Sequence, residues 1–432
     1  MSAQPEPSWA WLGLLKWSLT HVDGTVPSEE SPNFKQMSKE DRKFLEEVMK
    51  NGIINEGERM TFILKHLVAF LDTLKASNET ITTTTPTTTP TATTTTTADA
   101  QHKLAQEDKF DIPSGDGVTE TALSTEEIEK LLQELQDIVE QIDFAKSFMA
   151  MGGTAFLLGC ASQTKSVPQS IRAQCLAVLG TLNQNNPAVQ QKMLEEGNIP
   201  KLIDLFFAEY LQTNSCTIIQ ARALQAMSCS IRNHHMAEQI FCMNQEGRKM
   251  IEAALGLYSH DLKERLESAK QPLPKPSDTM RKKALFFLQA LVTSDSADSD
   301  RISLFANAIQ YAATRFVDSS NEDNSDIRET TLSMLTRILD QKKNVNVVLD
   351  AKEYLIDLGI KCITKLRRFD GEEKQMVEEE LRLWELLISQ LAKAVQDEVT
   401  SLIEKRPRES ALIPMNVINR SFSSSCNYLH VR

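Results

Sequence analysis

The sequence predicts an all-α fold, with most of the chain wound as a solenoid of stacked helical repeats. Three observations lead there. The 432 residues include only 15 Gly and few alternating runs of Val, Ile, Thr or Tyr that would mark strands. Apolar residues instead recur at spacings of three and four, which gathers them on one helix face. A long-helix, short-helix, Gly-break, helix pattern then returns several times after residue 124.

In chain order, residues 8–21 (SWAWLGLLKWSLTH) form a short amphipathic helix, and a Pro/Ser/Glu linker completes a segment over 1–33. SKEDRKFLEEVMKN follows, with Ser38 as N-cap, acids in its first turn where the helix dipole favours them, and Phe44, Leu45, Val48 and Met49 as the apolar stripe. A second helix over 58–75 closes a helical pair, residues 34–76. The threonine tract TITTTTPTTTPTATTTTTADA holds too few apolar side chains to offset the entropy of ordering it, so 77–122 is expected to be a disordered Thr-rich linker. Ser124-Thr125-Glu126-Glu127 reads as a capping box opening a helical region over 123–405, and a disordered tail is expected over 406–432.

Within 123–405 the segment 171–203 aligns with 219–251, while 280–294 and 327–341 repeat its first helix and 141–158 matches the part over 190–205. A unit of about 40 residues with this pattern marks an armadillo or HEAT solenoid, an armadillo-like α-α superhelix in which neighbouring units stack to bury a shared core. Ile171, Cys175, Val178, Leu179 and Leu182 are expected in that core, with Met280, Ala284, Phe287, Leu288 and Leu291 in the corresponding places. The polar stretch Asn185-Asn186-Pro187 ends one helix and starts the next, and Gly197 ends that one. Repeats after Gln341 match weakly.

Charge and composition narrow the function. A net charge of −12 disfavours a nucleic-acid partner. No run reaches the ~20 apolar residues of a membrane-spanning helix, and the N-terminus lacks a basic leader and cleavage site, so neither membrane nor secretion is expected. Cytoplasm is the expected place, with the nucleus open as a second. Seven cysteines without a CxxC pair suit a reducing compartment. No catalytic, metal or cofactor pattern emerges. Gly152-Gly153 terminates a helix, adjacent His234 and His235 point apart as surface or capping residues, and Glu378-Glu379-Glu380 reads as a solvated helix face. Arg172, Arg281 and Arg328 recur at one place near the start of the long helix. They are either solvated charges or a row that binds partner carboxylates, for which a guanidinium is well suited.

LLKWSLTHVDGT, SKEDRKFLEEVM, LQDIVEQIDFAKSFMAMGG, LGTLNQNNPAVQQKMLEEG and ALQAMSCSIRNHHMAEQIF occur in an order that resembles the armadillo-type nucleotide exchange factors of heat-shock protein 70 chaperones. The resemblance implies a monomeric co-chaperone without cofactor or metal, whose concave face embraces the second lobe of the chaperone's nucleotide-binding domain and opens the cleft to release ADP. It further implies that Ala145 in QIDFAKSF permits close approach and that Arg281 in TMRKKAL meets chaperone carboxylates. Arg232, beside Asn185, Asn186 and Asn233, also matches recurrent family residues and joins Arg172 and Arg328 in the expected partner-binding set. Trp9, Trp11, Leu14, Leu15 and Trp17 match the family's flexible segment that competes with clients for the peptide-binding site. A generic armadillo scaffold such as an import receptor is the alternative. Its Trp and Asn ladder is missing, since the matching places hold Ala177 with Thr181, Gln225 with Cys229, and Phe286 with Ala290. A thiol enzyme finds no base at defined spacing.

Overall fold

A computed structural model describes residues 56–82, 123–212 and 218–404, with Lys39 and Lys43 as isolated helical positions. The 8–21 helix, the Ser38 cap, the threonine tract beyond Thr82, Cys216, Cys426 and the 406–432 segment lie outside the described residues. All regular structure among the described residues is helical. It falls into two compact units, divided between Leu182 and Asn183.

The first unit contains α1 (Glu56–Thr82), α2 (Thr125–Val139), α3 (Ile142–Ala150), α4 (Gly153–Ser162) and nearly all of α5 (Gln169–Asn183). Helix α1 continues seven residues past the expected end at Lys75. Met60, Ile63, Leu67 and Phe70 lie on one face of α1 and are buried, as are Ile128, Leu132 and Leu135 of α2. Burying a side chain of this size stabilises the fold by about 1.5–3 kcal/mol. A bidentate pair from Arg59 to Glu134, at 2.6 and 2.7 Å, joins α1 to α2. The expected capping box is present: Ser124 Oγ accepts from Glu127 N, and Ser124 N donates to the Glu127 carboxylate. Gly152, at φ 83°, turns the chain so that α3 and α4 meet at 75°. A Cβ on neighbouring Gly153 would fall 2.1 Å from the Phe148 ring, so the close packing of α3 on α4 requires glycine there.

The second unit runs through α6 (Pro187–Glu195), α7 (Asn198–Gln212), α8 (Ile218–Ile231), α9 (His235–Met243), α10 (Gln245–Leu255), α11 (His260–Ser268), α12 (Asp278–Thr293), α13 (Ser299–Leu304), α14 (Ala306–Arg315), α15 (Ser325–Gln341), α16 (Asn346–Leu349), α17 (Lys352–Leu366) and α18 (Gly371–Glu404). It has two layers. The long helices α8, α12, α15 and α18 pack each on the next, and behind them α7, α10, α14 and α17 do the same. This is the stacking of an armadillo-like solenoid. The repeat continues past Gln341 through α16 and α17, although its sequence pattern weakens there. Helix α11 and the proline-containing stretch before α12 are an insertion the periodicity did not indicate.

The turn between stacked helices is as expected. Asn185 sits at φ 54°, Asn186 precedes α6 with Pro187 in its first turn, and Gly197 has φ 63°. Asn233 occupies the equivalent left-handed position in the next repeat at φ 63°, a conformation Asn tolerates better than most residues. The two expected core stripes, from Ile171 to Leu182 and from Met280 to Leu291, are fully buried.

Candidate functional site

The recurrent arginines do not form an exposed row. They occupy the second place of the long-helix motif, which points toward the preceding or following element. Arg172 is 4% exposed, and its Nε donates to the Ala161 carbonyl at 2.7 Å. Gln220, the equivalent residue of α8, is likewise buried and donates to the carbonyl of Phe206. Arg281 binds Glu322 through Nη1 and Asp278 through Nη2, the latter at 2.7 Å. The guanidinium, together with Asn324, holds the Asp278 carboxyl below the usual carboxylate range. Arg328 places Nε and Nη2 on Glu380 at 2.9 and 2.7 Å, and its Nη1 donates to the carbonyls of Glu322 and Asp323. These side chains staple successive repeats together. The assignment of Arg172 to partner binding is corrected by its burial, and Arg281 and Arg328 have internal carboxylates to satisfy first.

Glu380 also corrects the reading of the acidic run as a solvated face. Helical periodicity turns Glu380 inward, where it is 3% exposed, while Glu378 and Glu379 remain outside.

Partly exposed positive charge appears instead two residues further on, at the fourth place of the motif. Arg222 on α8 and Lys283 on α12 occupy equivalent places, and both donate to Gln225 Oε1, at 3.2 and 2.8 Å. Beside them Arg232, at the end of α8, stacks over the Phe286 ring at 4.6 Å, and its buried Nε has no acceptor. Phe286 is 51% exposed. Among the described residues, no carboxylate lies within ion-pair distance of Arg222, Arg232 or Lys283. Burial and the nearby Arg222 accordingly push the Lys283 pKa down. On the next helix pair, Gln289 Nε2 donates to Ser333 Oγ at 3.1 Å and continues the polar surface. A half-buried ammonium without a counter-ion is unfavourable in the isolated chain and becomes favourable when an external anion supplies the charge. The sequence signal for this face was the equivalence of Arg222 and Lys283 in the repeat alignment. It was masked by Gln174 and Thr330 at the same place in other repeats.

Ala145 lies in α3 and is 1% exposed, packed where α3 meets α1, α2 and α4. That burial leaves Ala145 little surface to offer a partner directly. Trp9, Trp11, Leu14, Leu15 and Trp17 lie outside the described residues. His234 acts as a cap, its Nδ1 accepting from Ala237 N at 3.2 Å.

Residues 144–266 match the family model of the SIL1/FES1/HPBP1 C-terminal domain. Over 120 residues the chain is 31% identical to Hsp70-binding protein 1 of Mus musculus, a match covering 28% of this chain and 32% of that protein. The similarity to Hsp70-binding protein 1 of Homo sapiens is 30% identity over 121 residues, again 28% and 32% of the two chains. Hsp70 nucleotide exchange factor FES1 of Coccidioides immitis (strain RS) is 28% identical over 99 residues, 23% of this chain and 43% of that one. The match thus spans 32% of the length of the first two of these relatives. Arg222, Gln225 and Arg232 fall inside the matched stretch, and Lys283 and Phe286 lie beyond it.

Proposed function

We infer, from residues 144–266 belonging to the SIL1/FES1/HPBP1 C-terminal domain family, that this chain is a nucleotide exchange factor for a heat-shock protein 70 chaperone. It binds the chaperone's nucleotide-binding domain as a cytoplasmic monomer, and no residue of it does covalent chemistry. The observation that carries the contact is the uncompensated cationic face of Arg222, Lys283 and Arg232 beside exposed Phe286. In a chain of net charge −12, such a face selects an acidic partner surface and steers its approach.

Exchange then follows from linkage. A factor that binds the open nucleotide cleft more tightly than the closed one must weaken ADP binding by the same factor. A coupling of about 1–3 kcal/mol corresponds to a 5–150-fold loss of ADP affinity. The solenoid supplies a stiff surface, so the energy of docking goes into holding the chaperone open. Stopped-flow release of labelled ADP from a cytosolic heat-shock protein 70 tests this. Release should accelerate with added protein and saturate. Equal release with and without the protein, at concentrations where the two are bound, would overturn the function.

A further inference from the structure

Three arginines that tie elements of the second unit together close on carboxylates of the chain itself: Arg281 on Glu322, Arg328 on Glu380 and Arg301 on Glu238. Arg222 of α8 and Lys283 of α12 depart from this. Both donate to a single uncharged oxygen, Gln225 Oε1, at 3.2 and 2.8 Å. Their nitrogens therefore lie within two hydrogen-bond lengths of each other. Like charges this close repel, and an amide oxygen offsets the repulsion only in part. The repeat does not impose the amide, because the equivalent places hold Ala177, Phe286 and Ser333. Two other glutamines of the long helices meet neutral groups: Gln174 donates to Gln133 and Gln136, and Gln289 to Ser333. Glutamate has the shape of glutamine and would supply the missing charge from within. A chain with 59 acidic residues has the amide there instead.

Resting on the reading of this face as the chaperone-docking surface, we propose that Gln225 is its positioning residue. The amide oxygen is an uncharged placeholder that draws Arg222 and Lys283 to one point, and an aspartate or glutamate of the partner takes that point on docking. A carboxylate there receives two charge-assisted hydrogen bonds, shorter and about twice as strong as those to a neutral acceptor. Gln225 has already ordered both long side chains, so less rotamer freedom is lost when the carboxylate arrives. The surroundings narrow the partner further. Phe286, one turn after Lys283, is 51% exposed, and Arg232 stacks on its ring. The partner residue is thus a carboxylate beside an apolar side chain that covers Phe286.

The test compares the full chain with its Gln225→Glu and Gln225→Met variants. The first keeps the shape and both contacts but supplies the counter-ion from within, and the second keeps the net charge but removes the acceptor. Titration of the Lys283 side chain by NMR, without chaperone, should show its pKa raised in Gln225→Glu and lowered in Gln225→Met, with Arg222 and Cys229 as the other titratable groups facing it. Affinity for a cytosolic heat-shock protein 70 should fall about tenfold in Gln225→Glu, with a weaker salt dependence. In Gln225→Met it should fall about threefold. A mere tie between α8 and α12 predicts instead that Gln225→Glu binds as the wild type does, because both bonds survive. That result would overturn the proposal, as would unchanged affinity in Gln225→Met or a Lys283 pKa that stays the same in both variants. Gln225→Glu keeps the test decisive should Gln225→Met fold poorly. Failure of the wild type itself to bind would overturn the docking reading and the proposal with it, and the chaperone-free titration tells that failure apart from the others.

Discussion

Arg328 closes on Glu380 with two hydrogen bonds, at 2.9 and 2.7 Å, where the side chains are 11% and 4% exposed. The pair joins α15 to the terminal helix α18, and the Glu380 hydrogen bonds push the arginine pKa up. Removing one partner leaves a buried charge alone. Arg328→Ala should therefore cost about 3–5 kcal/mol, whereas replacing both residues by apolar side chains of similar volume should recover most of that loss. Urea unfolding followed by the helical circular-dichroism signal checks this. A loss below ~1 kcal/mol for Arg328→Ala would show that the pair is surface-like.

Lys283 should behave in the opposite sense. Its folded pKa lies below the unfolded value, so the unfolded chain binds more protons between the two values and stability rises as pH increases through them. At pH values below both, the unfavourable contribution is fully present. Lys283→Met should consequently leave stability unchanged or improve it, and at the same time weaken chaperone binding. Arg281→Ala should lower both together, because Arg281 holds Glu322 and Asp278. Thermal melts and equilibrium binding, measured on the same preparations, separate the two outcomes.

That contrast shows how far the sequence could be read. Ile171, Val178, Phe287 and Leu288 were legible as core because burial of a helix face imposes a period, and the period survives substitution of one apolar residue for another. The turn at Asn185-Asn186-Pro187 was legible because left-handed backbone and helix starts restrict residue type. The roles of the arginines were not legible, because recurrence marks a shared environment without saying whether it is inside or outside. Arg172 and Arg281 share a register but meet a backbone carbonyl and a carboxylate respectively. The bareness of Lys283 is a property of everything packed around it, and only the stacking of α8 on α12 reveals it.

Ala145 gives a sharper test of the same distinction. At 1% exposure it offers a partner no surface, and Ala145→Arg must fit a long charged side chain between α1, α2, α3 and α4. Overpacking alone costs about 1–3 kcal/mol, and burying the unpaired charge adds to it. The variant should therefore lose ADP-release activity with a lowered thermal midpoint and a reduced helical signal. Full stability with lost activity would restore Ala145 to the contact surface.

Glu329 carries the pH prediction. Burial on α15, followed by the charges of Glu380, Asp326 and Glu379, holds its carboxyl above the usual carboxylate range, with Arg328 only partly opposing. A raised folded pKa means that the native state binds the proton more tightly than the unfolded chain. Its ionised form is then destabilising at neutral pH, and that contribution fades as pH falls through the folded value toward the unfolded one. Glu329→Gln should raise the unfolding midpoint at pH 7 and lose the advantage below about pH 4.3, where the unfolded carboxyl is also protonated. Urea titrations of the two proteins at pH 7 and pH 4 measure the difference directly. A gain of equal size at both pH values would locate the effect in packing, and no gain at pH 7 would mean that solvent already screens the acidic neighbours.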